Sequence, residues 1–147
     1  MRVFLILFTV LIGFSQPIVL EADQLTYEKD KLIYTGNVKV SRSDGVLKAQ
    51  KLVIFLDEKK RAKSAEASGQ PIYRDEKRQA SADIIQYDFE KEVLILKGNA
   101  RLQEGESFIQ APQIVYFRKE DRAIAQGRVK TVYVEESRDK VPADRKP

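Results

Sequence analysis

The chain has 147 residues, a third of them charged, and a net charge of +4. This length fits a single domain with one hydrophobic core. The sequence contains neither histidine nor cysteine, which excludes disulfides and removes the usual general base, the thiol nucleophile and most transition-metal ligands. Both signs of charge are interleaved along the chain, so the sequence does not predict the cationic stripe of a nucleic-acid-binding surface.

The N-terminus has the pattern of an export signal. Arg2 precedes an apolar run over residues 3–12, and Gly13 and Ser15 are small residues suited to cleavage after Ser15. The run is shorter than the roughly 20 residues of a membrane-spanning helix. Because apolar character resumes at residues 17–20, a retained membrane anchor and a first β-strand are the alternatives. We assign residues 1–15 to a signal peptide.

The rest of the chain is dominated by a repeat that occurs four times. The first copy reads Ala22-Asp23-Gln24-Leu25-Thr26-Tyr27 and reaches Gly36-Asn37-Val38. The third copy reads Ala82-Asp83-Ile84-Ile85-Gln86-Tyr87 and reaches Gly98-Asn99-Ala100. Looser second and fourth copies run from Ala49 to Gly69 and from Ala111 to Gly127. The four glycines are 33, 29 and 29 residues apart, a period typical of one supersecondary unit per repeat.

Within each repeat, apolar and polar residues alternate. Leu32, Tyr34 and Val38 share one face of a strand around Gly36, and the positions between them are mostly polar. Short charged turns at residues 28–30, 57–61, 90–91 and 118–122 separate the predicted strands. This pattern predicts an all-β domain of repeated antiparallel hairpins over residues 16–134. The charged, proline-containing residues 135–147 are predicted to form a flexible tail.

The sequence contains no catalytic motif, and no metal or cofactor site is predicted. Paired carboxylates such as Asp57 with Glu58 lie in predicted turns, where solvated side chains are the usual outcome. Asp23 and Asp83 precede matching strands, where aspartate commonly caps a turn. We therefore expect a binding or transport protein rather than an enzyme.

The apolar face of the predicted strands alternates bulky with small side chains. Leu32 and Tyr34, or Leu94 and Leu96, occupy the positions that Ala65 and Ala67 take in another repeat. This alternation leaves two possibilities open, a groove along the face or a core in which large side chains meet small ones. A groove would favour acyl chains, whose burial contributes about 0.8 kcal/mol per methylene.

The ordered set of motifs resembles the OstA-like domain of the LptA family of lipopolysaccharide-transport proteins. The resemblance covers residues 22 to about 134 and rests on the following positions: Ala22, Asp23, Tyr27, Gly36, Asn37, Val38, Ala49, Leu52, Gly69, Ala82, Asp83, Tyr87, Gly98, Asn99, Ala111 and Gly127. It implies an open, twisted β-jellyroll in the periplasm, with an apolar groove that carries lipopolysaccharide acyl chains between the inner and outer membranes. It also implies other lipopolysaccharide-transport proteins as partners, and head-to-tail stacking of domains into a homo-oligomer.

The chain is compatible with such stacking on its own terms. A linear array of hairpins leaves strand edges unpaired at both ends, here near residues 23–27 and 129–134. Addition of another sheet to such an edge is a heterologous contact, which builds a filament or bridge.

We expect the groove to be lined by apolar residues that share one strand face. They are Leu25, Tyr27, Leu32, Tyr34, Val38, Leu52, Ile54, Ile85, Tyr87, Leu94, Leu96, Leu102, Ile114 and Tyr116. Lys39, Lys97 and Arg101 are candidates for contact with headgroup phosphates at the rim, although such cations are more often solvated. Two alternatives stay open: a self-assembling structural β protein with a filled core, and an LptC-like lipid receiver anchored in the membrane.

Overall fold

The computed structural model describes residues 17–43 and 45–135. The predicted signal peptide and all but the first residue of the predicted tail lie outside these residues. The described chain forms strands and one short 3-10 turn at Arg118–Glu120. The strands are β1 (Ile18–Glu21), β2 (Gln24–Glu28), β3 (Lys31–Arg42), β4 (Gly45–Leu56), β5 (Ala62–Ser68), β6 (Ile72–Arg74), β7 (Arg78–Ser81), β8 (Ile84–Asp88), β9 (Val93–Glu104), β10 (Ser107–Phe117), β11 (Arg122–Gln126) and β12 (Lys130–Val132).

All pairings between these strands are antiparallel and belong to one sheet. Four long strands, β3, β4, β9 and β10, each pair with one short strand near one end and with a different short strand near the other. The sheet therefore divides into two halves that share the long strands. This architecture confirms the predicted all-β, open, twisted jellyroll built from antiparallel hairpins.

We call the two halves the upper and lower sheets. The upper sheet contains β2, β5, β8 and β11 together with residues 31–35, 51–56, 93–97 and 113–117 of the long strands. The lower sheet contains β1, β6, β7 and β12 together with residues 38–42, 45–49, 100–104 and 107–111. The boundary between the two sheets is called the fold line. It crosses each of the four long strands, and it falls between the short strands β1 and β2, β5 and β6, β7 and β8, and β11 and β12.

The repeated glycines lie on the fold line. Gly36 and Gly98 occur inside β3 and β9, with φ of +82° and +80°, a backbone region that glycine adopts without a steric penalty. Both approach an aspartate closely, because a Cβ on Gly98 would lie 2.4 Å from Asp83 Oδ2 and one on Gly36 would lie 2.5 Å from Asp23 Oδ2. The recurring motif is therefore the corner at which the sheet turns from its upper to its lower half.

The aspartates at these corners act within the fold, but each carboxylate accepts from an asparagine side chain across the corner instead of capping a turn as predicted. Asn37 Nδ2 donates to Asp23 Oδ2 at 2.9 Å, and the Asp23 backbone N–H donates to the Gly36 carbonyl at 2.8 Å. Asn99 Nδ2 donates to Asp83 Oδ2 at 3.1 Å in the matching corner. These bonds join β2 to β3 and β8 to β9 at the fold line.

The cross-strand register arranges the inner face of the upper sheet in two apolar rows that each cross eight strands. The row nearer the fold line is Leu25, Tyr34, Leu52, Ala67, Ile85, Leu96, Ile114 and Ala125. The outer row is Tyr27, Leu32, Ile54, Ala65, Tyr87, Leu94, Tyr116 and Ala123. The lower sheet adds a third row of Leu20, Val40, Leu47, Tyr73, Ala80, Leu102, Ile109 and Thr131.

Candidate functional site

The apolar interior between the two sheets is the candidate site. Every residue that the sequence predicted for the groove lies on the inner face of the folded sheet, with Val38 at the fold line and Leu102 in the lower sheet. Contact of these residues with a lipid stays a prediction.

Burial varies along the rows. Leu32 on β3, Ala67 on β5 and Leu96 on β9 are 1%, 1% and 2% exposed. Leu25 and Tyr27, on the terminal strand β2, are 53% and 46% exposed. The interior is therefore closed from β3 to β10 and open at the terminal strands, since Ala123 on β11 is exposed as well.

Side chains of both sheets form one contiguous cluster in this interior. Ala67 lies between Leu52 and Ile85 in the inner row, so a small side chain separates two larger ones. Ala80 of the lower sheet belongs to the same buried cluster. The sequence left a groove and a packed core as alternatives, and in this structure the two sheets pack against each other.

The second functional region is the mouth, the free edge opposite the fold line where the hairpin turns lie. The outer row brings three tyrosines there. Arg118 Nη1 donates to the Tyr87 hydroxyl at 3.3 Å. The Tyr116 hydroxyl donates to Asp121 Oδ1 at 2.8 Å. The Tyr27 hydroxyl donates to the Lys29 carbonyl at 3.0 Å.

Arg78 connects the two sheets at the mouth. It begins β7 in the lower sheet, whereas Tyr116 belongs to β10 in the upper sheet. The interaction with the Tyr116 hydroxyl raises the pKa of Arg78, and the carboxylates of Glu104 and Asp75 add to that effect. In the same way the Tyr87 hydroxyl raises the pKa of Arg118. Two guanidinium groups, one from each sheet, therefore lie next to tyrosine hydroxyls at the mouth.

Aspartates fix the turns that carry these groups. Asp75 Oδ1 accepts backbone N–H bonds from Lys77 at 2.9 Å and Arg78 at 2.8 Å, and Oδ2 accepts from the Tyr73 hydroxyl at 3.0 Å. Partial burial opposes ionisation, but these donors lower the pKa of Asp75. Asp57 closes the β4–β5 turn similarly, and the backbone N–H of Arg61 lowers the pKa of that carboxyl.

The cations proposed for the rim lie elsewhere. Lys39, Lys97 and Arg101 occupy positions between inward-facing residues, and successive side chains of a strand point to opposite faces. They are consequently on the outer face of the sheet, where Arg101 stacks over the Phe108 ring at 3.8 Å. Arg78 and Arg118 carry no signal in the sequence, because their position at the mouth depends on turn geometry and on contact between the sheets.

The outer face also carries a shallow depression of about 230 Å³. Its lining includes Phe55, Glu66, Gln86 and Ile95, which alternate with the inward-facing residues of their strands. Gln86 Nε2 donates to Glu66 Oε1 at 3.0 Å across its floor. Ala65 and Tyr87 of the outer row also border this depression.

The folded sheet and its interior define the class of protein, a β-jellyroll that encloses a continuous apolar face between two halves of one antiparallel sheet. The family model described as "LptA/(LptD N-terminal domain) LPS transport protein" matches residues 19–122. The chain belongs to this family of lipopolysaccharide-transport proteins.

Individual relatives agree with this assignment. The chain is 31% identical over 134 residues to the lipopolysaccharide export system protein LptA of Haemophilus influenzae. This match covers 82% of this chain and 78% of that protein. It is 28% identical over 123 residues to LptA of Escherichia coli K12, and that match covers 74% of this chain and 63% of the relative. These relatives are named as components of a transport system.

A solved structure shares the fold. LptH of Pseudomonas aeruginosa, described as the LptA-homologous periplasmic component of the lipopolysaccharide transport device, superposes with a TM-score of 0.72. The match covers 82% of this chain and 96% of LptH at 18% identity. No helix among residues 17–43 and 45–135 has the length and apolar character to cross a membrane.

Proposed function

We propose that this protein is a periplasmic carrier that holds the acyl chains of lipopolysaccharide between its two sheets and passes the lipid from the inner towards the outer membrane. The observation that carries the proposal is the pair of inner apolar rows that continue across eight strands of the upper sheet. At about 4.8 Å between strands, each row extends for about 34 Å. Family membership and the names of the relatives supply the lipid's identity.

The interior binds by apolar contact alone, and no residue acts chemically. Burial contributes about 0.8 kcal/mol per methylene, so a twelve-carbon chain gains about 10 kcal/mol before the costs of ordering. Because the sheets pack against each other in this structure, acyl chains enter as the sheets separate at the mouth. Contacts between side chains are then replaced by contacts with acyl chains of similar apolar character, which keeps the cost of opening low. Direction comes from partner proteins.

Assembly of several domains into a bridge is the second part of the proposal. β1 and β2 pair only with β3 among the described strands, and β11 and β12 pair only with β10. Both ends of the folded sheet thus present strand edges to another copy or to another lipopolysaccharide-transport protein. The bulky, exposed Leu25 and Tyr27 at one end complement the small Ala123 and Ala125 at the other. A head-to-tail contact of this kind continues the apolar rows from one domain into the next.

A pair of neighbouring residues on β9 tests the carrier function. Leu94 faces the interior and Ile95 faces outward, and both are half-buried. We expect Leu94→Asn to weaken lipopolysaccharide binding about tenfold, because an amide against an acyl chain loses about 1–3 kcal/mol. Ile95→Asn should bind like wild type. Equilibrium binding to purified lipopolysaccharide, with thermal melting to establish folding, measures the difference.

Position 32 would not serve in this test. Leu32 is 1% exposed, so a polar group there would unfold the domain rather than report on binding. Equal binding by the Leu94 and Ile95 variants would contradict the carrier function. A folded wild-type protein that binds no lipopolysaccharide would instead favour the structural β protein with a filled core, which the packed interior also suits.

A further inference from the structure

Two arginines converge at the mouth from opposite sheets. We infer that Arg78 and Arg118 form a phosphate-binding pair that holds the anionic headgroup of a lipid whose acyl chains lie between the sheets. This inference rests on the proposed carrier function and adds headgroup recognition to it.

The register of the outer row sets the spacing of the pair. Tyr87 and Tyr116 are the two cross-strand neighbours of Leu94, one on β8 and the other on β10. Strands two apart lie about 9.6 Å from each other. Arg118 donates to the Tyr87 hydroxyl at 3.3 Å, and Arg78 interacts with the Tyr116 hydroxyl from the lower sheet. The two tyrosines with which the guanidinium groups interact therefore flank one inward-facing leucine, Leu94, in the outer row.

Both arginines keep hydrogen-bonding capacity for a ligand. The ion pairs within residues 17–43 and 45–135 are Lys60–Asp30, Arg61–Asp57 and Arg122–Glu120, so neither Arg78 nor Arg118 is neutralised by a direct carboxylate contact there. Both residues are exposed. A guanidinium carries five N–H donors in a planar fork that matches the oxygens of a phosphate. A single tyrosine hydroxyl occupies only part of that fork.

Nearby carboxylates do not close the site. Asp75 already accepts the two backbone bonds and the tyrosine bond described above, and Asp121 accepts from Tyr116. Glu104 lies opposite Arg78 on β9, and Glu92 precedes β9 near Arg118. These acids act at longer range, which leaves the guanidinium groups charged without fixing them in ion pairs. A phosphate that meets both arginines at once has an advantage over either isolated carboxylate.

The tyrosines position the two arginines where the apolar interior meets water, which is where the headgroup of a bound lipid would lie. Their rings belong to the apolar outer row while their hydroxyls reach the mouth, the usual arrangement of tyrosine where apolar and wet surfaces meet. Tyr27 makes a similar contact with Lys60, whose Nζ lies 5.8 Å from the ring centroid. Lys60, however, already donates to the Lys29 carbonyl at 2.7 Å and pairs with Asp30 at 3.4 Å. The phosphate-binding pair therefore comprises Arg78 and Arg118 alone.

Binding to two forms of one lipid tests the inference. The probes are purified lipid A with its phosphates and the same lipid after their enzymatic removal. We expect Arg78→Gln and Arg118→Gln each to weaken binding of the phosphorylated lipid about tenfold, the effect of losing one charge-assisted hydrogen bond. Binding of the dephosphorylated lipid should not change. Arg78→Lys should recover part of the loss, because it restores the charge without the fork.

Two control variants each remove one positive charge close to, but outside, the phosphate-binding pair. Arg74→Gln alters an exposed residue of β6 whose Nε donates to Gln79 Oε1 at 3.1 Å, and Lys119→Gln alters the residue next to Arg118. Both controls should bind phosphorylated lipid A like wild type. The inference is overturned if the controls lose as much affinity as the arginine variants, or if the arginine variants weaken both lipids equally. A wild-type protein that binds neither lipid would overturn the carrier function itself.

Inorganic phosphate separates a headgroup site from a free-phosphate site. We expect it to displace phosphorylated lipid A only weakly, because it lacks the acyl chains that supply most of the binding free energy. If inorganic phosphate binds the wild-type protein as tightly as lipid A does, and loses that affinity in Arg78→Gln, the headgroup assignment is overturned in favour of a free anion.

Discussion

At the scale of single residues, the corner glycines determine where the sheet can fold. Gly98 combines a φ of +80° with an approach to Asp83 that leaves no room for a Cβ. Gly105, in the turn between β9 and β10, has a φ of +64° but no atom within 4 Å of its Cβ position. A side chain at either glycine would therefore strain the backbone, but only at Gly98 would the new Cβ also clash with a neighbour, Asp83.

This difference gives a test of the corner. Gly105→Ala should cost about 1 kcal/mol, the penalty for a left-handed backbone conformation. Gly98→Ala should cost about 3 kcal/mol, because strain at the same kind of φ is joined by displacement of the Asp83 carboxylate. Urea denaturation of the two variants and wild type measures both values. Equal losses at the two positions would show that the approach of Asp83 is not what requires glycine.

The residues of the interior were predictable because side-chain direction alternates strictly along a strand. The positions two and four residues from each glycine carried part of the prediction, and the matching phase of the preceding strands carried the rest. β3 and β9 keep the even spacing of inward-facing residues through their corners. In β4 and β10 the register shift at the corner moves the inner face by one residue, so that Leu47 and Leu52 are five residues apart.

Val40 and Tyr73 each lie four residues after a repeated glycine, and both face inward in the third row. The sequence-based prediction of the site nevertheless left both residues out. Arg78 and Arg118 had no comparable signal, since their meeting at the mouth depends on how close the two sheets come.

At the scale of elements, the terminal strands differ most from the sequence-based prediction. Residues 17–20 continued the apolar character of the N-terminal run, and their assignment as a strand was only one of three possibilities. In the structure β1 pairs with residues 39–42 of β3 and completes the lower sheet. Local hydrophobicity could not decide this, because the same residues suit a signal segment, an anchor or a strand. Pairing with β3 is a tertiary property.

The second copy of the repeat shows another limit at this scale. Ala65, Ala67 and Tyr73 fit one continuous strand by spacing, but Gly69 ends β5 and the chain resumes as β6. Gly127 likewise separates β11 from β12, whereas β3 and β9 pass through their glycines unbroken. The motif therefore specifies a corner, and flanking residues decide whether the strand continues through it.

The exposed edge strand β2 provides the test of head-to-tail assembly. Leu25→Asp places a charge on the inner face of that strand, where a second copy would cover it. We expect the association constant to fall by at least about tenfold, because burial of an unpaired charge opposes association. The folding stability should change little, since Leu25 is 53% exposed. Analytical ultracentrifugation of wild type and Leu25→Asp over a range of protein concentrations measures the two association constants.

Gln24→Asp is the matched control for this strand, since Gln24 is exposed and points to the opposite face. It should associate like wild type. If Leu25→Asp and Gln24→Asp assemble equally well, the inner face of β2 is not part of the contact between copies.

At the scale of the whole molecule, the fold separates apolar from charged residues, which alternate in the sequence. Charges of both signs stay mixed in the turns at the mouth, where Lys60 pairs with Asp30 and Arg61 with Asp57. On the outer face, by contrast, Lys39 lies directly opposite Lys48. Charge patterning in sequence order did not predict that pairing of like charges. The apolar pattern did predict the interior, because its period matches the pleat of the strands.

The same separation supports a carrier that opens along one side. The long strands β3, β4, β9 and β10 run through both sheets at the fold line, where the corner hydrogen bonds join β2 to β3 and β8 to β9. At the mouth, among the described residues, Arg78 of the lower sheet interacts with Tyr116 of the upper sheet. Opening at the mouth therefore breaks few polar contacts and leaves the strand pairing intact. A lipid can enter from the side without passing through the ends of the domain.

Photocrosslinking in cells determines whether lipopolysaccharide lies between the two sheets. A photoreactive residue is placed at Leu94, which faces the interior, and in a second protein at Lys97, which faces outward three residues later on β9. We predict a lipopolysaccharide adduct at position 94 and none at position 97. A folded protein that gives no adduct at position 94, or equal adducts at both positions, would contradict the account.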